Sequence, residues 1–302
     1  MTTYTAQDPA QDTDRVRKPA AACVAAVAAG LTPLERTGVV LVAAVVLFCV
    51  VTPLLPLYAP YAQDLSRAFV PPLTDAAHPL GTDMLGRDLA SRLALGGLVS
   101  LGIVLLVVVV NAIIGMVVGL LAGYHGGRLD NVLMGWADVQ LAMPVILVLI
   151  ALSAAVGPSV WLMVITLAAT YWVGYARVAR GTAMTLRDRD FVLVPRIQGA
   201  SATWTISRHI APGVAVQMLI LASSDIGAVL LLTSSFDYLG LGVQPPVPSW
   251  GLLISEGQKY IRQAPYLSVV PGIAIFLVVI GTNLISQRFT AERDLRPARR
   301  RK

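Results

Sequence analysis

The sequence has 302 residues, of which 56% are hydrophobic and 13% are charged, and its mean hydropathy is +0.71. Soluble domains carry roughly 25% charged residues, so this composition excludes an ordinary soluble protein and predicts an integral membrane protein. The net charge of +6 does not indicate nucleic-acid binding, because the basic residues lie beside hydrophobic segments, as membrane insertion requires. Two cysteines, Cys23 and Cys49, provide neither a disulfide framework nor the ligand spacing of a metal site.

The hydrophobic runs are long and continuous, which predicts an all-α polytopic bundle of transmembrane helices. A helix needs about 20 apolar residues to cross the bilayer core. Six segments approach that length, at residues 37–57, 98–122, 132–156, 159–178, 214–235 and 267–285. The sequence therefore predicts six spans, with both termini on the same side of the membrane.

The distribution of lysine and arginine predicts which side that is. With both termini in the cytoplasm, 18 of the 23 basic residues lie inside and 5 lie outside. Basic residues are enriched in cytoplasmic segments, so we expect a multi-pass protein of the plasma membrane with cytoplasmic termini. The basic end of the chain, residues 288–302, is expected to contact anionic lipid headgroups.

The N-terminal segment at residues 19–31 resembles a secretory signal, because an Ala/Val-rich run follows Arg15, Arg17 and Lys18. The run is too short to span a bilayer. We expect a cytoplasmic or interfacial helix here, and a processed or inserted segment is the alternative.

A polar segment between the fourth and fifth spans contains two short helical patterns. Gly199 can adopt the positive φ that closes a first helix, and Ser201 is a good N-cap for a second. Pro195 is expected close to the start of the first helix, and Pro212 is expected to end the second. Apolar side chains outside the membrane favour a surface that docks on a partner over a solvated connection; they are Phe191, Val192, Ile197, Trp204 and Ile206.

Asp225 lies near the middle of the fifth span. A carboxyl at this depth is costly, so it is expected to face a translocation pathway or a partner group. The alternative is a structural, protonated acid that is hydrogen-bonded to Ser223, to Ser224 or to a neighbouring helix.

Other ionisable residues receive structural interpretations. Asp138 is expected either to cap a helix end or to extend its side chain to the membrane surface. Asp237 is expected to be solvated at the outer end of its span. His78, His125 and His209 lie in three separate loops, which argues against a metal site within the chain.

Three motifs occur in a specific order. Residues 78–92 read HPLGTDMLGRDLASR, residues 239–251 read LGLGVQPPVPSWG, and Gly199 is followed ten residues later by His209-Ile-Ala-Pro212. From about residue 79 to residue 294, the chain resembles permeases of ATP-binding cassette (ABC) importers of the dipeptide/oligopeptide/nickel type. The resemblance implies a type I ABC importer permease fold and leaves the N-terminal tail and the first span unsupported. We divide the chain into a tail at 1–36, a first span and external loop at 37–97, a core at 98–287 that contains a coupling loop at 188–212, and the basic tail at 288–302.

The resemblance also implies a function and partners. The chain would form half of a translocation pathway for peptides, nickel or metal chelates, together with a second permease, two ATPase subunits or domains and an external solute-binding protein. It would bind no cofactor itself, since it has no phosphate-binding loop motif, and ATP and Mg would lie on the partner subunits. The residues implied in ATPase coupling are Phe191, Leu193, Arg196, Gly199, Ser201, Ile206, His209 and Pro212.

The sequence departs from the family pattern at one place. The family usually has Glu-Ala-Ala where this chain has Leu193-Val194-Pro195, which predicts docking by packing more than by charge. Asp225-Ile-Gly is similar to some nickel and metal-chelate permeases, whereas peptide-type members often carry a Glu where this chain has Thr233. A secondary transporter, an exporter and an intramembrane enzyme are the alternatives, and the sequence shows neither inverted repeats nor converging catalytic groups within the spans.

Overall fold

The computed structural model describes residues 32–295, and its regular elements within that range are helices. The α-helices, numbered in chain order, are α1 (Pro33–Val51), α2 (Leu89–His125), α3 (Gly127–Leu141), α4 (Val145–Val156), α5 (Val160–Arg187), α6 (Asp190–Ile197), α7 (Ala202–Thr205), α8 (Ala211–Tyr238), α9 (Trp250–Gln258) and α10 (Tyr266–Leu295). The predicted all-α class is confirmed. Residues 19–31 and the last part of the basic tail lie outside the described residues.

Five helical segments are long and apolar enough to cross a membrane: Pro33–Leu54, Leu89–His125, Val160–Arg187, Ala202–Tyr238 and Tyr266–Ser286. They correspond to five of the six predicted spans. Most of them extend beyond the predicted bounds, because hydropathy detects only the apolar part of a helix whose ends are polar. The protein is therefore a multi-pass membrane protein.

The predicted span at 132–156 is not one straight helix, which corrects the sequence interpretation. It consists of α3 and α4, which are bent by 76° at the break between them. Pro144 precedes α4 directly and has no N–H to donate, and a proline also disfavours helical geometry in the residue before it. This bent pair is the sixth candidate span.

Glycines allow the two most extensive helix contacts. On α2, Gly115, Gly119 and Gly123 face α5 so closely that a Cβ at Gly119 would lie 2.4 Å from the Ala176 carbonyl oxygen. Small residues at four-residue spacing let membrane helices approach at their backbones. The contact of α1 with α10 is similar, since a Cβ at Gly38 would lie 2.6 Å from the Gly281 oxygen. Helices α2, α5 and α8 all contribute buried apolar residues to the two main core clusters and form the centre of the bundle.

Candidate coupling site and membrane-embedded carboxylate

The turn at Gly199 is a Schellman motif at the end of α6. The Ala200 N–H donates to the Pro195 carbonyl at 3.0 Å, and the Gly199 N–H donates to the Arg196 carbonyl at 3.1 Å. This pattern requires a left-handed residue, and Gly199 has φ +89°. Ser201 then caps α7, because its hydroxyl accepts a hydrogen bond from the Trp204 N–H at 3.3 Å. The predicted turn and cap are both confirmed.

The two prolines of this segment do not lie where the sequence suggested. Helix α6 begins at Asp190, and Pro195 lies near its end, where it removes one backbone donor from a short helix. Pro212 does not end the second short helix; it lies in the first turn of α8. A π-helical turn at Ile206–Ile210 joins α7 to α8, and its wider geometry accommodates the proline ring against the preceding turn.

The segment has one buried side and one exposed side. Val192, Ile210 and Val214 are fully buried in a cluster with residues of α2 and α5. On the other side lies an apolar surface that we call the docking face, formed by Phe191, Val194, Ile197 and Trp204. Ile197 is the most exposed of the four, at 84%, and a cluster of exposed apolar side chains marks an interaction site.

Polar residues of the segment pack against aromatic rings. The His209 ring lies 4.9 Å from the Trp204 ring and 6.4 Å from the Phe191 ring, measured between centroids. The Arg196 guanidinium lies 5.9 Å from the centre of the Tyr124 ring at the end of α2. Arg187 of α5 donates to the Tyr124 carbonyl at 3.1 Å, so the segment is fixed to the ends of two central helices.

The remaining residues implied in coupling differ in how far they are exposed. Leu193 and Ile206 are half-buried, and Ser201 is exposed at its cap position. The structure thus brings Phe191 and His209 together, whereas Pro212 belongs to the start of α8 and not to the docking face.

Asp225 is half-buried in α8 and faces the hydroxyl groups of Tyr171 and Tyr175 on α5. The neighbouring serines do not hold it. The Ser223 and Ser224 hydroxyls donate to carbonyls of their own helix, at Ile220 and Leu221, both at 2.7 Å. Of the groups in the structural alternative, these serines therefore do not pair with Asp225, and the group that interacts with it from a neighbouring helix is Tyr175.

Comparison with known proteins identifies the family. The family described as binding-protein-dependent transport system inner membrane component matches residues 115–292. The chain belongs to this family. This permease is a membrane transport subunit, and the dependence of its family on a binding protein favours the importer interpretation over a secondary transporter.

Relatives of the permease cover most of its length. It is 35% identical over 253 residues, 84% of each chain, to the probable D,D-dipeptide transport system permease protein DdpC of Escherichia coli. It is 37% identical over 228 residues to the nickel transport system permease protein NikC of the same species, which covers 76% of this chain and 82% of NikC. It is 38% identical over 211 residues, 70% of each chain, to the glutathione transport system permease protein GsiD of Pectobacterium atrosepticum.

At the opposite end of the permease, three buried charges and the partly buried Glu256 form a network that sequence reasoning missed. Asp83 accepts from the Arg87 Nε at 2.7 Å and from the Arg92 Nη1 at 2.6 Å. Arg92 also pairs with Glu256 of α9 at 2.9 Å. Buried charges are tolerated when they are paired, so the network fixes α9 to the loop that precedes α2. The acid–base spacing from Asp83 to Arg92 was a signal in the sequence, but distant Glu256 could not be inferred from it.

Two further carboxylates have structural roles. Asp237 was expected to be solvated, and this is wrong: it is 1% exposed, and its Oδ1 accepts from the Val243 N–H at 2.8 Å. It thereby holds the loop after α8. Asp138 forms an exposed ion pair with Arg177 at 2.5 Å, in agreement with its structural interpretation.

Proposed function

We propose that this permease forms half of the translocation pathway of an ATP-driven importer, and that residues 188–212 couple it to an ATPase. The observation that carries the proposal is the docking face, an apolar surface of which three residues lie between candidate spans and Trp204 lies at the start of the span Ala202–Tyr238. Its partners would be a second homologous permease, two ATP-binding cassette subunits or domains and an external solute-binding protein. ATP and Mg would be bound by the ATPases.

The connection to the membrane part supports this role. Helix α7 continues through the π-helical turn into α8 without a loop. The buried side of the segment packs against α2 and α5. A displacement of the docking face would therefore tilt α8 together with its neighbours, and rigid-body motion of this kind gives alternating access.

The docking contact is proposed to be mainly apolar. Leu193 replaces the acidic residue usual in the family, and Arg196 is engaged with the Tyr124 ring. A depression of about 460 Å³, lined by Pro195, Gly199 and Trp204 among others, lies beside the docking face. It offers space for apolar side chains of the ATPase.

The solute is proposed to be a peptide or a nickel or metal-chelate complex. This proposal rests on the resemblance and on relatives that are named as D,D-dipeptide, nickel and glutathione permeases. Asp225 would line the pathway, because a half-buried carboxyl in a span has access to water or to a passing cation. The basic residues support cytoplasmic termini, which would place the docking face on the side where ATP is available.

The proposed docking is tested by a substitution that places a charge on the docking face. Ile197→Glu places a carboxylate where burial against the ATPase is proposed, so the ATPase that co-purifies with the complex should fall about tenfold or more. Leu65→Glu is the matched control, because Leu65 is 70% exposed in the loop before α2. An undiminished amount of ATPase with Ile197→Glu would refute the proposed docking.

A further inference from the structure

Polar side chains of three central helices lie in the region where α2 packs against α5 and α5 faces α8. Asp225 of α8 faces Tyr171 and Tyr175 of α5. Asn111 of α2 lies one turn before Gly115, the residue at which α2 meets Tyr175. Helices α2, α5 and α8 thus all contribute polar groups to this region, where the surrounding residues are apolar.

Two of these groups are buried without a hydrogen-bond partner among the described residues. They are the Tyr175 hydroxyl and the Asn111 Oδ1, in residues that are 2% and 1% exposed. The Tyr175 hydroxyl interacts with the Asp225 carboxyl without making a hydrogen bond of normal geometry to it. A buried hydroxyl that lacks a partner is destabilising, and phenylalanine would fill the same space without that cost.

The region is accessible from one side. Tyr171 is 37% exposed and Asp225 is half-buried, so a group outside this chain can approach the carboxyl. Such a group would also come close to the unpartnered Tyr175 hydroxyl. The arrangement is that of an incomplete site, which a ligand would complete.

We propose that Asp225, Tyr171 and Tyr175 form a subsite for a cationic group of the transported solute. The inference rests on the proposed import function and deepens it. The Asp225 carboxylate would supply the charge attraction, and the Tyr175 hydroxyl would act as a positioning group that accepts a hydrogen bond from the ligand or donates one to the carboxylate. The exposed Tyr171 ring adds a face that attracts cations. The cation would be a peptide ammonium or a nickel ion with its ligands.

The experiment measures import by the complete transporter in vesicles, with labelled dialanine and labelled Ni²⁺ as separate probes. Asp225→Asn and Tyr175→Phe should each lower the turnover of the imported probe about tenfold, since each removes a charge-assisted contact. Asp225→Glu should restore part of the turnover. Ser224→Ala is the control, because its hydroxyl is satisfied by its own helix.

Thermal stability separates a ligand role from a structural one. Tyr175→Phe removes an unpartnered hydroxyl, so the melting temperature of the detergent-purified complex should stay equal or rise while import falls. If the variants lose import of dialanine, the subsite binds an ammonium group. If they lose import of Ni²⁺, it binds a metal ion.

Three outcomes would overturn the subsite. They are unchanged turnover in both variants, a Tyr175→Phe loss accompanied by a lower melting temperature, and a wild-type transporter that imports neither probe. The proposed function is judged separately by the ATPase that co-purifies, so its failure is distinguishable from failure of the subsite.

Discussion

Replacing Gly199 by valine isolates the backbone requirement of the turn between α6 and α7. A Cβ at Gly199 would meet no heavy atom within 4 Å, so no steric contact with the rest of the protein contributes. The cost arises from φ +89°, because a non-glycine residue in a left-handed conformation costs about 1–2 kcal/mol, and a β-branched one is more strained. Since about 1.4 kcal/mol corresponds to a factor of ten in an equilibrium constant, the population of the native turn relative to other conformations should fall roughly tenfold.

The assay is the ratio of solute imported to ATP hydrolysed, measured with the complete complex in proteoliposomes. Gly199→Val should insert at normal levels and lower this ratio about tenfold, because the docking face would no longer move with α8. Gly199→Asn is the matched control, since asparagine tolerates the left-handed region and should stay close to wild type. A wild-type ratio in Gly199→Val would show that the turn does not couple the ATPase to transport.

Three other predictions test other parts of the molecule. Leu193→Glu should lower co-purification of the ATPase about tenfold, because this half-buried position is proposed to contact an apolar surface of the ATPase. Improved transport in this variant would show that Leu193 makes no such contact. Reporters fused after Lys302 and within residues 64–75 should report opposite sides of the membrane, and the same side for both would refute the topology. Gly119→Leu should reduce the folded permease in detergent, because its Cβ would lie 2.4 Å from a backbone oxygen of α5, whereas Gly102→Leu, with open space around it, should not.

Local chemistry made the turn at Gly199 predictable. A glycine followed two residues later by serine encodes a left-handed helix end and an N-cap, and both depend on groups within five residues in sequence. The start of α2 depends on local chemistry in the same way, since Asp88 caps α2 by accepting from the Ser91 N–H at 2.7 Å. These features need no distant partner.

The two prolines show where local reasoning failed. Pro212 has the sequence signature of a helix end, but the π-helical turn before it lets the chain stay helical into α8. Pro144 has a similar signature, and there the helix does break, with a bend of 76°. The difference arises because the π-helical turn makes room for the Pro212 ring within a continuous helix, whereas Pro144 has extended backbone geometry, with ψ 118°, as the N-cap of α4.

The sequence by itself determined the membrane class, the number of candidate spans and the local geometry of the turn at Gly199, because hydropathy and capping act over short distances. Only the tertiary structure decided which charges are paired. Asp83 and Glu256 meet on Arg92, and Asp237 turns inward to a backbone N–H, since a buried charge must find whichever partner the packing of distant helices brings near. The same packing set Asp225 opposite Tyr175 on another helix, which no periodicity within α8 could have revealed.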